Sequence, residues 1–243
     1  MISRRYALII PALNEAEGIG ELLRQIPRDL FSQIIVVDNG SVDATASVAR
    51  EAGAEVISEP RRGYGRACLA GLGELHPATS AVVFMDADLS DDPMDLTRLV
   101  RRFENGGLDL AIGSRVLGNS EPGSLTPLQR FGNWLTTGLI RWIWNVSFTD
   151  LGPLRIVGCE ALERLALCDP DFGWNVEMQA KAARLRMKVA EIPVQYRKRR
   201  FGKSKISGTI AGSVRAGFKI LWTVYRCWRG GPKSEKAPAP VSV

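Results

Sequence analysis

VVFMDADLSDDP, residues 82–93, is an apolar run that closes on aspartates. An apolar run without alternation is what a central strand reads like when helices cover both of its faces. A second such run, IIVV at 34–37, also ends in an acid, Asp38. In open α/β sheets ligands sit at the carboxyl ends of the strands, so Asp38 and Asp86 share one crevice although 48 residues separate them. Around these two runs, short apolar stretches alternate with amphipathic ones over the first 113 residues, the pattern of βα units. The spacing predicts strands at 6–10, 34–38, 55–57, 81–85 and 109–113, with helices at 19–25, 44–52, 65–75 and 94–105 between them. The fold class expected is α/β, with a largely parallel central sheet flanked by helices.

Beyond Gly113 the regular alternation stops. A Gly/Pro/Ser-rich loop, Leu117 to Pro127, leads to a Trp-rich helix over 128–146. Helices at 159–167 and 174–185, a strand at 189–194, a basic loop and an amphipathic helix at 206–228 follow. The last residues, GGPKSEKAPAPVSV, have the composition of a disordered tail. At 243 residues the chain has room for one sizeable domain, expected at 1–229, and a tail at 230–243. Within that domain, 1–115 form the regularly alternating half, 116–205 a second half expected to build an acceptor side, and 206–229 an amphipathic helix.

Composition narrows the chemistry. Cys68, Cys159, Cys168 and Cys227 show no CxxC spacing and read as buried apolar thiols rather than a zinc site or disulfide framework. A single histidine, His76, argues against Ser-His-Asp or Cys-His catalysis and His-rich metal sites. Any acid, base or metal ligand must therefore be a carboxylate. The chain carries a formal net charge of +6, and residues 181–229 hold fourteen Lys or Arg against one acid, Glu191. An anionic partner is expected at that end. The opening MISRRYALIIPALN is broken by Pro11 and Asn14 before a signal sequence could form, and no 18 uninterrupted apolar residues occur. Both features predict a cytoplasmic protein that lies on a membrane surface, if it meets one.

Four segments carry chemistry. IIPALNE, 9–15, ends the first strand with polar groups able to bond a base or ribose, or with Asn14 capping the next helix and Glu15 complementing its dipole. In VVDNGSVDAT, 36–45, an Asn39-Gly40 turn would leave the Asp38 carboxylate free for a nucleoside, while Asp43 reads as structural. Asp86 and Asp88, two residues apart at a strand end, would repel each other unless a positive charge lies between them. A divalent ion bridging a diphosphate supplies that charge, and oxygen ligands suit Mg²⁺ or Mn²⁺. One of Asp91 and Asp92 caps the helix that opens at Pro93. RRFGKSKISG, 199–208, gathers cations with Gly202 and Ser204 as a clamp for phosphates.

With IIPALNE, VVDNGS, RRGYGRACLAG at 61–71, DADLSDDP, GSR at 113–115, DLGPLR at 150–155 and RRFGKSK in this order, the chain resembles glycosyltransferase family 2 over residues 4–208. Within that family it is similar to the dolichol-phosphate (polyprenol-phosphate) mannose synthase-like branch. The resemblance implies a GT-A fold, with 1–115 as its nucleotide-sugar half, and an inverting, metal-dependent transfer of a hexose from GDP-mannose or UDP-glucose to a polyprenyl or dolichyl phosphate. By matching motif it implies that Pro11, Leu13, Glu15 and Asp38 hold the nucleoside, and that Asp86 and Ala87 line the sugar-diphosphate site. Asp88 would be the principal metal ligand. Arg115, Arg130, Arg199 and Lys205 would handle phosphates, with Ser204 as a further donor.

The chain departs from the branch at Ser90, where mannose synthases typically carry a metal-binding Gln, so Ser90 takes that place in the expected ligand set. It also ends in an amphipathic helix rather than transmembrane helices. On that helix Ile206, Ile210, Val214, Phe218, Leu221 and Tyr225 share one face, with Arg215, Lys219, Arg226 and Arg229 set to reach headgroups and Trp222 and Trp228 suited to the headgroup layer. Rival readings are a same-fold transferase with a glycan or another lipid as acceptor, and a non-catalytic basic module binding membrane or nucleic acid. A nicotinamide-dependent oxidoreductase is disfavoured, because Gly63 and Gly65 follow the third strand rather than the first. No nucleic-acid partner is expected.

Overall fold

A computed structural model describes residues 6–202 and 210–230. Ser204, Lys205, Ile206 and the expected tail from residue 231 lie outside the described residues, and of Ile210, Val214 and Arg215 only the backbone is described. Seven strands, β1 (Tyr6–Ala12), β2 (Phe31–Asp38), β3 (Glu55–Ser58), β4 (Ala81–Phe84), β5 (Leu110–Ser120), β6 (Arg155–Gly158) and β7 (Val189–Tyr196), form one sheet. Its order is β3-β2-β1-β4-β6-β5-β7. β3, β2, β1 and β4 run parallel, β6 is antiparallel to both neighbours, and β5 and β7 are parallel.

Eight helices are described: α1 (Ala16–Gln25), α2 (Thr45–Glu51), α3 (Tyr64–Gly73), α4 (Asp95–Gly106), α5 (Pro127–Trp144), α6 (Cys159–Leu165), α7 (Trp174–Arg184) and α8 (Ile210–Trp228). The period of two along β1 sends Leu8 and Ile10 into a core with α1 and α4, and Ile9 into a second core with α3, α5, α6 and α7. Helices on both faces explain why β4 is buried along its whole length. Trp174, fully buried, meets Phe84 edge-on at 5.9 Å and ties α7 to that strand.

Three expectations are corrected. β6 is a strand where only a motif leading into a helix was read, and β5 runs on through residues 117–120 of the expected loop. Pairing with β7 carries it there, with the register broken between Ser114 and Asn119. A Cβ at Gly118 would lie 1.9 Å from the Val194 carbonyl, so only glycine permits this close approach. Of the four thiols, Cys68 and Cys227 are buried, but Cys168 is exposed and Cys159 half-buried.

α8 packs through Thr223, Val224 and Cys227 and leaves Phe218, Leu221, Trp222, Tyr225 and Trp228 exposed. Lys219 and Arg226, expected at headgroups, turn inward. Lys219 pairs with the buried Asp169 at 3.1 Å, and Arg226 reaches Asp169 at 3.4 Å and Glu177 at 3.5 Å. Two carboxylates out of water need compensating charge, which these cations supply together with Lys181, 2.9 Å from Glu177. No described helix is long and apolar enough to cross a membrane.

Candidate active site

The strand order reverses between β1 and β4, where an open sheet forms its crevice. The β1 end brings Pro11, Leu13 and Glu15, the β2 end Asp38, and the β4 end Asp86, Ala87 and Asp88. The loops are cross-tied. Asn14, in the left-handed region at φ 52°, does not cap α1; its side chain accepts from Val42 N at 2.8 Å and its own N–H donates to Ser41 Oγ at 2.9 Å. Asn39 reaches the next connection, donating to the Glu59 and Arg61 carbonyls and accepting from Gly63 N. Asp38 is not without a local partner as expected, since its Oδ1 accepts from Ser41 N at 3.1 Å. Asp43 is structural, accepting from Ala16 N and from Thr45.

Two carboxylates converge on one cation. Arg199 donates to Glu15 Oε1 at 2.7 Å and lies 3.0 Å from Asp88 Oδ2. Asp88 Oδ1 accepts from Ser90 N, a turn made by Leu89 at φ 59°. A buried leucine in the left-handed region is strained, which is common where backbone geometry serves a site. Ser90 itself is buried, and its carbonyl accepts from Arg197 N. Asp86 Oδ1 is buried without a hydrogen-bond donor. Burial, and then the charge of Asp88, raise the Asp86 carboxyl to about 7.

This arrangement fits a divalent ion: an orphaned carboxylate oxygen lies beside Asp88, and a guanidinium already supplies positive charge between Asp88 and Glu15. Among the described residues no three His, Cys, Asp or Glu side chains are gathered to hold a metal alone. A hard ion of this kind ordinarily takes one or two carboxylates and completes its shell with phosphate oxygens and water.

The opposite wall is built on the β5 irregularity. Arg115 donates from Nε and Nη2 to Asp150 at 2.7 and 2.8 Å, and its guanidinium lies 5.0 Å from the centre of the Tyr196 ring. Burial alone would raise Asp150, yet the bonds from Arg115 hold it below the ordinary carboxylate value. Glu191 accepts from Thr149 N and Asp150 N and fixes the loop that carries this acid. Arg130 stands exposed on the first turn of α5, outside these ties.

Several residues of the site escape a sequence reading. Tyr64, Cys68 and Arg155 lie close enough to Asp86 to exchange charge effects with it or with one another. Arg155 is fully buried, donating to the carbonyls of Leu151, Gly152 and Asn175, and burial lowers its pKa to about 10. Its only trace in the sequence is the end of DLGPLR. The glycines of RRGYGRACLAG left a clearer signal: a Cβ at Gly65 would lie 1.9 Å from the Asp169 carbonyl, so α3 and the 168–173 loop close on each other only with glycine there.

The raised Asp86 has a measurable consequence in metal-free protein. Its folded pKa of about 7 exceeds the unfolded value of 3.8, so the unfolded chain loses that proton first and stability falls as pH rises through this window. Asp86→Asn should therefore raise the Tm at pH 8 in the presence of chelator, with the difference vanishing near pH 4. Scanning calorimetry at both pH values checks this, and equal shifts at both would contradict it.

A family model described as "Glycosyl transferase family 2" matches residues 7–165. An uncharacterized glycosyltransferase of Mycobacterium tuberculosis is 37% identical over 209 residues, covering 85% of this chain and 92% of the relative. An undecaprenyl-phosphate mannosyltransferase of Micrococcus luteus is 28% identical over 246 residues, covering 93% and 97%. Among solved structures, glucosyl-3-phosphoglycerate synthase from Mycobacterium tuberculosis with Mn²⁺ and UDP-glucose superposes with a TM-score of 0.72 at 22% identity, covering 95% of this chain and 81% of that one. The likeness carries the fold, GT-A.

Proposed function

Since the chain belongs to glycosyl transferase family 2, we propose that it moves a hexose, with inversion, from a nucleotide-diphosphate sugar to a polyprenyl phosphate at a membrane surface, using Mg²⁺ or Mn²⁺. The observation that carries the donor half is the convergence of Glu15, Asp86, Asp88 and Arg199 at the carboxyl ends of β1 and β4. Pro11, Leu13, Glu15 and Asp38 then hold the nucleoside, and Ala87 lies along the sugar diphosphate. Asp88, with Asp86 beside it and Ser90 in the turn, holds the ion, which supplies charge stabilisation to the departing nucleoside diphosphate.

The acceptor needs little help from a base. A phosphate monoester with a second pKa near 6 is largely dianionic at neutral pH, which agrees with a site built without histidine. Arg199 and Arg115, with Arg130, Ser204 and Lys205, bring this anion to the donor. A phosphate oxygen bonds to the anomeric carbon from one face while the bond to the nucleoside diphosphate breaks on the other, inverting the centre. Entry of the donor breaks the Arg199 bridge to Glu15 and Asp88 and releases that guanidinium for phosphate.

For the lipid, support comes from two aromatic rows. α8 exposes Phe218, Trp222, Tyr225 and Trp228, and α5 exposes Leu128, Phe131, Trp134 and Trp142 at helical spacing, Trp142 to 83%. Large apolar residues in this number on a surface mark a contact site, and Trp and Tyr suit the headgroup layer. Because Lys219 and Arg226 are spent on Asp169 and Glu177, aromatic insertion outweighs charge in this binding, with Arg130, Arg141 and Arg229 left exposed as its cations.

The donor half is tested by thermal shift with GDP-mannose, UDP-glucose and other nucleotide sugars, with and without Mn²⁺. A donor at a hundred times its Kd contributes about 2.7 kcal/mol, which for a chain of this size raises the Tm by roughly 5–10 °C. The shift is expected with metal and one base. No shift with any nucleotide sugar would overturn the reading.

A further inference from the structure

The acids of DADLSDDP divide sharply by what they touch. Asp92 accepts from Met94 N and pairs with Arg197, so it is the acid that organises the turn into α4. Asp95, on the helix itself, accepts from Gln195 N and from Arg98. Asp88 is shared between Ser90 N and Arg199. Asp91 touches none of these. It is 2% exposed, and both its carboxyl oxygens are buried without a hydrogen-bond partner.

Its place is fixed rather than accidental. The backbone of Asp91 bridges that of Tyr196 at the end of β7, and the Ser90 carbonyl accepts from Arg197 N at 2.8 Å. The charged groups whose fields reach Asp91 are Asp86, Asp88 and Asp150, which repel it, and Arg115, which attracts it. These are the groups of the crevice itself. A buried carboxyl without a donor is costly, and no bond of the resting protein offsets that cost.

We infer that Asp91 is a specificity residue whose two oxygens, pinned between the β4 and β7 ends, accept hydrogen bonds from hydroxyls of the donor's hexose. The inference rests on the donor reading given above and selects among the parts of the donor by chemistry. A diphosphate or an acceptor phosphate brings acceptor oxygens rather than donors, and Asp88 repels it unless a cation intervenes. A hexose is uncharged and rich in O–H donors, and two neighbouring hydroxyls match the two free oxygens of one carboxyl. A site built to bond hydroxyls also rejects sugars that present them differently, because its own buried acceptors are then left unpaired.

The test uses the full chain with Asp91→Asn, which keeps the volume and one acceptor, and Asp91→Ala, which keeps neither. Calorimetric titration with Mn²⁺ present compares a nucleoside diphosphate with the matching nucleotide sugar, UDP against UDP-glucose and GDP against GDP-mannose. In both variants the nucleoside diphosphate should bind within about twofold of wild type, and the Tm should hold or rise. The ratio of nucleotide-sugar Kd to diphosphate Kd should grow several-fold in Asp91→Asn and more than tenfold in Asp91→Ala. Unchanged ratios in both variants, or losses equal for sugar and diphosphate, would overturn the inference while leaving the donor reading standing. Failure of wild type to bind any of the four ligands would overturn both.

Discussion

Replacing Asp88 by Asn is expected to lower hexose transfer by on the order of 10²–10³, the usual loss when one preorganised electrostatic contact to developing charge is removed. The side chain lies in the loop that follows β4 and splits its two oxygens between tasks: Oδ1 holds the Leu89 turn through Ser90 N, and Oδ2 faces Arg199 at 3.0 Å. An amide of the same volume can keep the turn with its carbonyl oxygen. It cannot keep the negative charge, so metal affinity and turnover fall while the fold stays. The check is turnover at limiting Mn²⁺ beside a melting curve, and wild-type turnover would sink the assignment.

The second large effect concerns stability. Asp150→Ala leaves the Arg115 guanidinium, whose side chain is 13% exposed, without its counter-charge. Breaking a buried pair from one side costs about 3–5 kcal/mol, or roughly a 10 °C fall in Tm for a chain of this size. Because Asp150 titrates below its unfolded value of 3.8 in the folded protein, its contribution is fully present above that pH. The gap between wild type and variant should therefore close as pH falls through the folded pKa. A gap that stays constant down to pH 2 would show that lost packing, rather than lost charge, is responsible.

The half of the molecule built from βα units was legible because its period and its strand ends are local properties. Ile34 to Val37 and Ala81 to Phe84 read as buried strands and are buried strands. β6 was not legible: Arg155 to Gly158 is four residues long, too short for a period, and its antiparallel place between β4 and β5 is decided by partners far away in sequence. The same holds for residues 117–120, which look like loop and become strand only because β7 lies alongside.

The placement of charge depends on distant partners in the same way. A stripe of Lys and Arg on an amphipathic helix looks solvated, and nothing near Lys219 or Arg226 in the sequence reveals that Asp169 and Glu177 wait buried beneath them. Arg155 is enclosed, and the sequence around it carries no sign of that burial. Asp91 and Asp92 were interchangeable as letters; only the pairing of Asp92 with Arg197 separates the structural acid from the unpartnered one.

The central claim, metal-dependent transfer to a lipid phosphate, is tested most directly by supplying labelled GDP-mannose or UDP-glucose and Mn²⁺ to the protein with undecaprenyl phosphate in lipid vesicles. The account predicts label in the organic phase from one of the two donors, released by mild acid as expected of a glycosyl phosphate, and absent with chelator. Label that stays out of the lipid with both donors, or that enters it equally without metal, would contradict it.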